Sequence, residues 1–501
     1  MIFNSIAFLC VFLPIMLIGY FLLPKKAKNI WLLLGSLFFY TWGGPRHLVF
    51  LLASIIVNFV AGLLISRLCV EGEADERGNN TVHSKTQLIV LVFTILLNIG
   101  SLIYFKYIGM LFETVRDLFS PQLAIPEVIL PLGISFYTFQ CLSYVIDVYR
   151  TEGAKNKDGS VNTIVTRNPL DFALFITFFP QLLQGPIIRY ADVKDRIHNP
   201  ETSLDDVTSG IERFIVGLSK KALIANTIGE VADNIFAGDP AYMAVSVAWL
   251  GAILYTLQIY FDFSGYTDMA IGLGKMFGYK IRENFDYPYI SRSITEFWRR
   301  WHITLSNWFR DYLYIPLGGN RKGNVYVNLL IVFLATGIWH GAAWGFLVWG
   351  LWHGLFMLIE RALKGKKFSI TLPTGISGFL KWIYTMLVVT LGWVLFKIED
   401  IVEALNYIGA MFHVKSHSYN AFSVWYFLDR RLIFFLIIAV LACIPWAQIL
   451  PRHIAAYIAE FAYSTKGAMC VARRVCLILL MILCFIFVVN NTYSPFIYFQ
   501  F

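Results

Sequence analysis

Two histidines stand out for the residues around them. His340 closes the segment TGIWHG, and His302 lies in FWRRWHITLSNWFRDYLYIPLGGNRKG. Both fall within Asp262–Gly341, where His, Arg, Trp, Asp and Gly concentrate in an otherwise strongly apolar chain. An imidazole titrates near neutrality, so it can take a proton from a hydroxyl and act as a general base. The sixteen residues Asn324–Trp339 separate the basic pair Arg321-Lys322 from His340, which is ~25 Å of helix at 1.5 Å per residue. The next basic cluster, Arg361, Lys364, Lys366 and Lys367, follows a second apolar run. Both arms of a hairpin are then anchored on one side of a membrane, with His340 at the apex. An ionisable group held that deep needs a cavity and is a functional candidate; a core histidine bonded to a neighbour is the alternative.

The other candidates are less sharp. Taken alone, His302 reads as an interfacial residue in an Arg/Asp network. His353, thirteen residues beyond His340, could not share a helical face with it and reads as structural. Asp262 and Asp268 suit a cation or a substrate hydroxyl, and equally suit a bridge or cap between neighbouring helices. The chain holds no GxSxG elbow, no HExxH and no GxxxxGK[ST] phosphate loop. Its nine histidines supply no His/carboxylate cluster of the kind a metal requires, so no metal is expected. The seven cysteines lie mostly in apolar runs without a CxxC pair and read as small hydrophobes.

The elements that must position these residues follow from composition. The chain is 57% hydrophobic and only 15% charged, against about 45–50% and 25% in soluble domains. Apolar runs near twenty residues recur throughout, which predicts an all-α polytopic membrane protein with about eleven crossings. The net charge of +9 sits in short loops beside apolar runs, a distribution that orients helices and meets anionic lipid heads. That excludes a basic nucleic-acid-binding domain. The first run, Ile2–Leu23, ends on Lys25, Lys26 and Lys28, the reverse of a secretory signal, so it reads as a retained helix with its N-terminus outside.

Further along, Val245–Phe261 is expected to span and to deliver the chain to Asp262. The stretch Lys280–Lys322 is too charged for an ordinary span and too aromatic for an ordinary loop. It carries Arg282, Arg292, Arg299, Arg300, Arg310 and Arg321 against Glu283, Asp286, Glu296 and Asp311. Such backbone at membrane depth is tolerated only when buried in protein or lining a wet cavity. It therefore reads as re-entrant and interfacial helices on the cytoplasmic side, with a loop bearing aromatic anchors as the alternative. The expected organisation is one integral-membrane domain over 1–501, a re-entrant core at 262–341 and an aromatic tail at 490–501.

Five segments carry a family resemblance: PLGISFYTFQCLSYVIDVYR, FFPQLLQGPIIRY, YFDFSGYTDMAIGLGKMFGY, FWRRWHITLSNWFRDYLYIPLGGNRKG and TGIWHGAAWGFLVWGLWHG. Together they resemble the bacterial polysaccharide-modifying branch of the membrane-bound O-acyltransferase (MBOAT) family. That branch includes O-acetylation of alginate and peptidoglycan and D-alanylation of teichoic acid. The resemblance implies a ring of helices forming a funnel, with the family's catalytic histidine at His340 and its second histidine at His302. It implies an acyl donor, acetyl-CoA, approaching from the cytoplasm, and a cell-wall or exopolysaccharide acceptor outside, reached through an extracytoplasmic partner acyltransferase or esterase-like protein. The location it implies is the bacterial cytoplasmic (inner) membrane. The C-terminal FIYFQF carries an FxYxxF pattern, and the resemblance implies that Tyr498 relays the acyl group; an interfacial aromatic belt is the alternative. A transporter or flippase of small acyl units is the rival from another class, and D-alanyl transfer to teichoic acid the rival chemistry.

Overall fold

Apolar runs that cannot leave backbone amides unpaired in lipid must fold as helices, and helices dominate the chain. The computed structural model describes residues 1–71, 81–82, 84–119, 121–126, 128–151, 163–364, 374–413, 421–449 and 466–490. Strand pairing among them is confined to Val70–Glu71 against Thr81–Val82. Six helices are long and apolar enough to cross a membrane: Pro45–Arg67, Lys85–Phe119, Val245–Met276, Trp344–Leu363, Gly375–Lys397 and Gly467–Asn490. Phe8–Leu22, Val325–His340 and Ile401–Met411 are apolar but shorter. The expectation of about eleven crossings therefore meets six full-length helices and three short ones among the described residues. A sixteen-residue arm such as Val325–His340 reaches about 24 Å, less than the roughly 30 Å of a bilayer's hydrocarbon core.

The chain folds as two compact units, Met1–Ile211 with Ala270–Arg282, and Glu212–Met269 with Glu283–Phe501. In the first, the helices Pro45–Arg67 and Lys85–Phe119 are joined by a reciprocal amide pair. Asn58 Nδ2 donates to Asn98 Oδ1 at 3.1 Å, and Asn98 Nδ2 donates back at 2.9 Å. Polar pairs of this kind hold helices together where lipid offers no hydrophobic drive, for about 1 kcal/mol. Outward faces carry bare apolar side chains such as Ile89, Phe93 and Leu96, which suits contact with acyl chains and not with water.

The second unit holds both candidate histidines. From Glu212 on, the helix Leu204–Ser219 belongs to this unit; it continues through a π turn at Lys220–Ala225 into Asn226–Phe236 and packs on Val245–Met276. Their approach is set by two glycines: a Cβ on Gly217 would lie 2.6 Å from Gly265 O, and one on Gly265 would lie 2.8 Å from Gly217 O. Asp262 does not open a new segment, contrary to expectation, because Val245–Met276 runs unbroken for 32 residues. Gly265 serves close helix packing, where the missing side chain outweighs its poor helix propensity.

Beyond it come two seven-residue helices, Ile294–Arg300 and Ile303–Phe309, each too short to cross a bilayer. Glu360 fixes the first: its carboxylate accepts from Ile294 N at 2.5 Å, Thr295 N at 2.9 Å and Thr295 Oγ1 at 2.6 Å. A carboxylate at a helix N-terminus satisfies orphan amides and complements the helix dipole. The hairpin Val325–His340 and Trp344–Leu363 follows as expected, with His340 the last residue of its first arm. Gly337 and Gly350 let the arms close, since a Cβ on either would come to 2.5 Å from the facing backbone carbonyl of Phe346 or Phe333.

Candidate functional site

The apex of the hairpin turns on Gly341, in extended backbone. A Cβ there would run into the Phe346 ring, so any other residue at the turn would require that buried ring to move. This places His340 at the junction of three aromatic rings, 4% exposed. Its imidazole centre is 5.0 Å from Trp339, 4.9 Å from Trp349 and 5.2 Å from Phe396, each in an edge-on arrangement. The neighbours come from both arms and from the helix Thr374–Lys397, so the hairpin and a third helix together enclose the ring.

His302 reaches the same cluster from the short helices. It is 1% exposed, with Phe263 4.8 Å away on the long helix and Trp339 at 6.3 Å. Trp339 is thus a ring neighbour of both imidazoles, and the two histidines predicted from sequence are brought to one aromatic cluster. His302 sits at φ 44, ψ 54, left-handed backbone rare outside glycine. A non-glycine residue held there costs on the order of 1 kcal/mol and persists only where its surroundings over-determine it. Those surroundings are specific. Ile303 N donates to Asn284 O at 2.9 Å, Asp286 N donates to Arg300 O at 3.0 Å, and His302 Nδ1 lies 3.1 Å from Asn284 Oδ1. Nε2 of His302 is buried without a hydrogen-bond partner among the described residues. Burial in this apolar setting pushes the His302 pKa down to about 3, so the ring is neutral at physiological pH.

His353 is not remote from the site, although the helical-face argument set it apart. The hairpin breaks the helix at Gly341, so periodicity across the break says nothing. Its ring is fully buried, 5.2 Å from Trp349, which itself touches His340, and 5.3 Å from Trp298. Both of its ring nitrogens lack hydrogen-bond partners among the described residues. Asp262 and Asp268 take the bridging role. Lys221 Nζ lies 2.5 Å from Asp262 Oδ1, with both side chains almost fully buried. Arg213 and Lys220 reach Asp268 at 2.6 and 2.7 Å, and Arg213 also pairs with Glu283 at 2.5 Å. All these cations project from the helix that packs on Val245–Met276 at the two glycines.

Among the described residues no three His, Cys, Asp or Glu side chains converge as a metal site would require. Cys141, Cys443 and Cys484 are buried as expected of small hydrophobes, whereas Cys10, Cys470 and Cys476 are exposed. Tyr498 lies outside the described residues. Sequence reasoning missed Asn284, Thr304 and the enclosing tryptophans. No motif signals them; only the order of polar and aromatic residues around His302 could have raised the question.

Short helices and a hairpin apex thus bring two buried imidazoles to one aromatic cluster. The family model described as MBOAT, membrane-bound O-acyltransferase family, matches residues 85–398, and the chain belongs to that family. It is a multi-pass membrane O-acyltransferase. Among curated relatives it is 41% identical over 421 residues to the probable alginate O-acetylase AlgI of Pseudomonas putida, covering 82% of this chain and 80% of the relative. It is 35% identical over 439 residues to the peptidoglycan O-acetyltransferase of Helicobacter pylori, covering 82% and 80%. Similarity to the teichoic acid D-alanyltransferase of Bacillus subtilis is 31% over 232 residues, or 42% of this chain and 54% of the relative.

Proposed function

We propose that the protein moves an acetyl group from acetyl-CoA, supplied from the cytoplasm, to a hydroxyl destined for an extracytoplasmic polysaccharide of the cell wall or an exopolysaccharide. The observation that carries this reading is the pair of buried imidazoles sharing Trp339, in a chain aligned over most of its length with acetylases of alginate and peptidoglycan. His340 takes the proton of the attacking hydroxyl as its oxygen adds to the thioester carbonyl. The tetrahedral oxyanion collapses, the carbon–sulfur bond breaks, and the departing thiolate recovers a proton from the imidazolium. His302, neutral and with Nε2 bare, orients the donor thioester or shares that proton. Exclusion of water by the surrounding rings protects the thioester from hydrolysis.

The enzyme would reside in the bacterial inner membrane, N-terminus outside, in contact with membrane lipids. Tyr498 in the C-terminal FIYFQF would receive the acetyl group and pass it to an extracytoplasmic partner enzyme that modifies the polymer. The test is thioester turnover. Purified protein should release free thiol from acetyl-CoA, and His340→Ala should not; equal release by both would overturn the assignment. For the relay, mass spectrometry of protein trapped with donor should find acetyl on Tyr498, and a fully active Tyr498→Phe enzyme would refute it.

A further inference from the structure

The side chain of Asn284 contacts His302 in a way that determines which ring nitrogen carries the proton. Asn284 is fully buried, and its Oδ1 lies 3.1 Å from Thr304 N, 2.9 Å from Thr304 Oγ1 and 3.1 Å from His302 Nδ1. A backbone N–H can only donate. The Asn284 atom facing Thr304 N must therefore be the amide oxygen, which removes the usual ambiguity of an asparagine flip. An amide oxygen can only accept, so His302 Nδ1 must carry the proton. In a neutral imidazole the other nitrogen, Nε2, then holds the lone pair. That is the nitrogen buried without a hydrogen-bond partner among the described residues.

Backbone geometry makes the contact rigid. The chain at 284–286 runs against 300–303 through the two main-chain bonds given above, and Thr304 sits in the first turn of Ile303–Phe309. His302 occupies the N-cap position of that helix without capping it, so Asn284 satisfies the amide that a cap residue would take. One carbonyl oxygen thus caps a helix and sets a tautomer.

We propose that Asn284, held by Thr304, is a positioning residue that locks His302 as the Nδ1–H tautomer and presents the Nε2 lone pair to the reaction. The proposal rests on the acyltransferase reading only for its catalytic consequence; the tautomer itself stands apart from it. A second group fixing a histidine's proton is how orientation and basicity are set in many proton-transfer sites. Asn284 touches neither donor nor acceptor in this scheme, so it acts through His302.

The test is nitrogen-15 NMR of histidine-labelled full-length protein, with the His302 signals assigned by difference from His302→Gln. The wild type should show His302 protonated at Nδ1 and bare at Nε2. A ring protonated at Nε2 would overturn the proposal without touching the acyltransferase reading, which thiol release by His340→Ala decides separately. Asn284→Leu should yield a mixture of tautomers and lower kcat for thiol release by at least about tenfold, with KM for acetyl-CoA little changed. Asn284→Asp keeps the acceptor and should restore both the tautomer and most of kcat. If Asn284→Leu lost only thermal stability, with tautomer and kcat intact, Asn284 would be a helix cap and nothing more. If Asn284→Leu fails to fold, the wild-type spectrum and Thr304→Val, which removes one of the three bonds, still decide the matter.

Discussion

Two polar regions of the second unit solve the problem of buried polarity in opposite ways. Around Asp262 and Asp268 every charge faces an opposite one: Lys221 with Asp262, and Arg213 and Lys220 with Asp268. Around Trp339 and Trp349 the polar groups are imidazoles among rings, and both His302 Nε2 and the His353 nitrogens are left without hydrogen-bond partners among the described residues. A fully paired network satisfies itself and has nothing left to offer a substrate. A neutral imidazole with a bare nitrogen retains its chemistry and bears a desolvation cost of about 1–3 kcal/mol for doing so. Asp262 and Asp268 lie in the same polar stretch, Asp262–Gly341, as both histidines, yet their charges are taken up by bridges between helices.

The comparison breaks first at His340. Replacing it with alanine should lower the rate of thiol release by about 10²–10⁴-fold, the usual worth of a general base, while the melting temperature in detergent changes little by comparison. The ion-pair region should behave inversely. Lys221→Met leaves Asp262 buried without its cation and should cost roughly 3–5 kcal/mol of stability; Lys221→Met combined with Asp262→Leu should recover much of that in thermal unfolding. If Asp262→Leu changed stability equally in the wild type and in Lys221→Met, the pair would not be coupled. A smaller effect is expected at the helix crossing. Gly265→Ala forces a methyl against the Gly217 carbonyl and should cost about 1–3 kcal/mol in the same assay.

The effect of pH is graded and small per unit. His302 has its pKa depressed to about 3 by burial, so below 6.5 the unfolded chain takes a proton that the folded protein refuses. Stability is therefore full above 6.5 and falls as pH drops from 6.5 towards 3, by on the order of 1 kcal/mol per unit. His302→Gln should lessen that slope, with buried His353 contributing to what remains; an unchanged slope would assign it to other groups.

Much of this was legible in advance for identifiable reasons. The hairpin could be read because its arms are apolar runs flanked by Arg321-Lys322 and Arg361, and hydropathy is a property of local sequence. The helix through Asp262 is longer than its apolar run, Val245–Phe261, because Asp262 and Asp268 are paired with cations of a neighbouring helix and need not leave the helix to reach water. His353 was set aside by a periodicity that stops at Gly341.

The sequence by itself determined a membrane-embedded helical protein, its two histidines of interest and the hairpin that ends on one of them, because composition and spacing act through bilayer thickness and helix rise. Only the tertiary structure decided that His302 and His340 share Trp339, that Lys221 neutralises Asp262, and that Asn284 sets the proton on His302. Those contacts join residues from 18 to 41 positions apart, or on separate helices, across turns. A hydrogen bond is fixed by position to a few tenths of an ångström, and no local pattern of residues carries that precision across a turn.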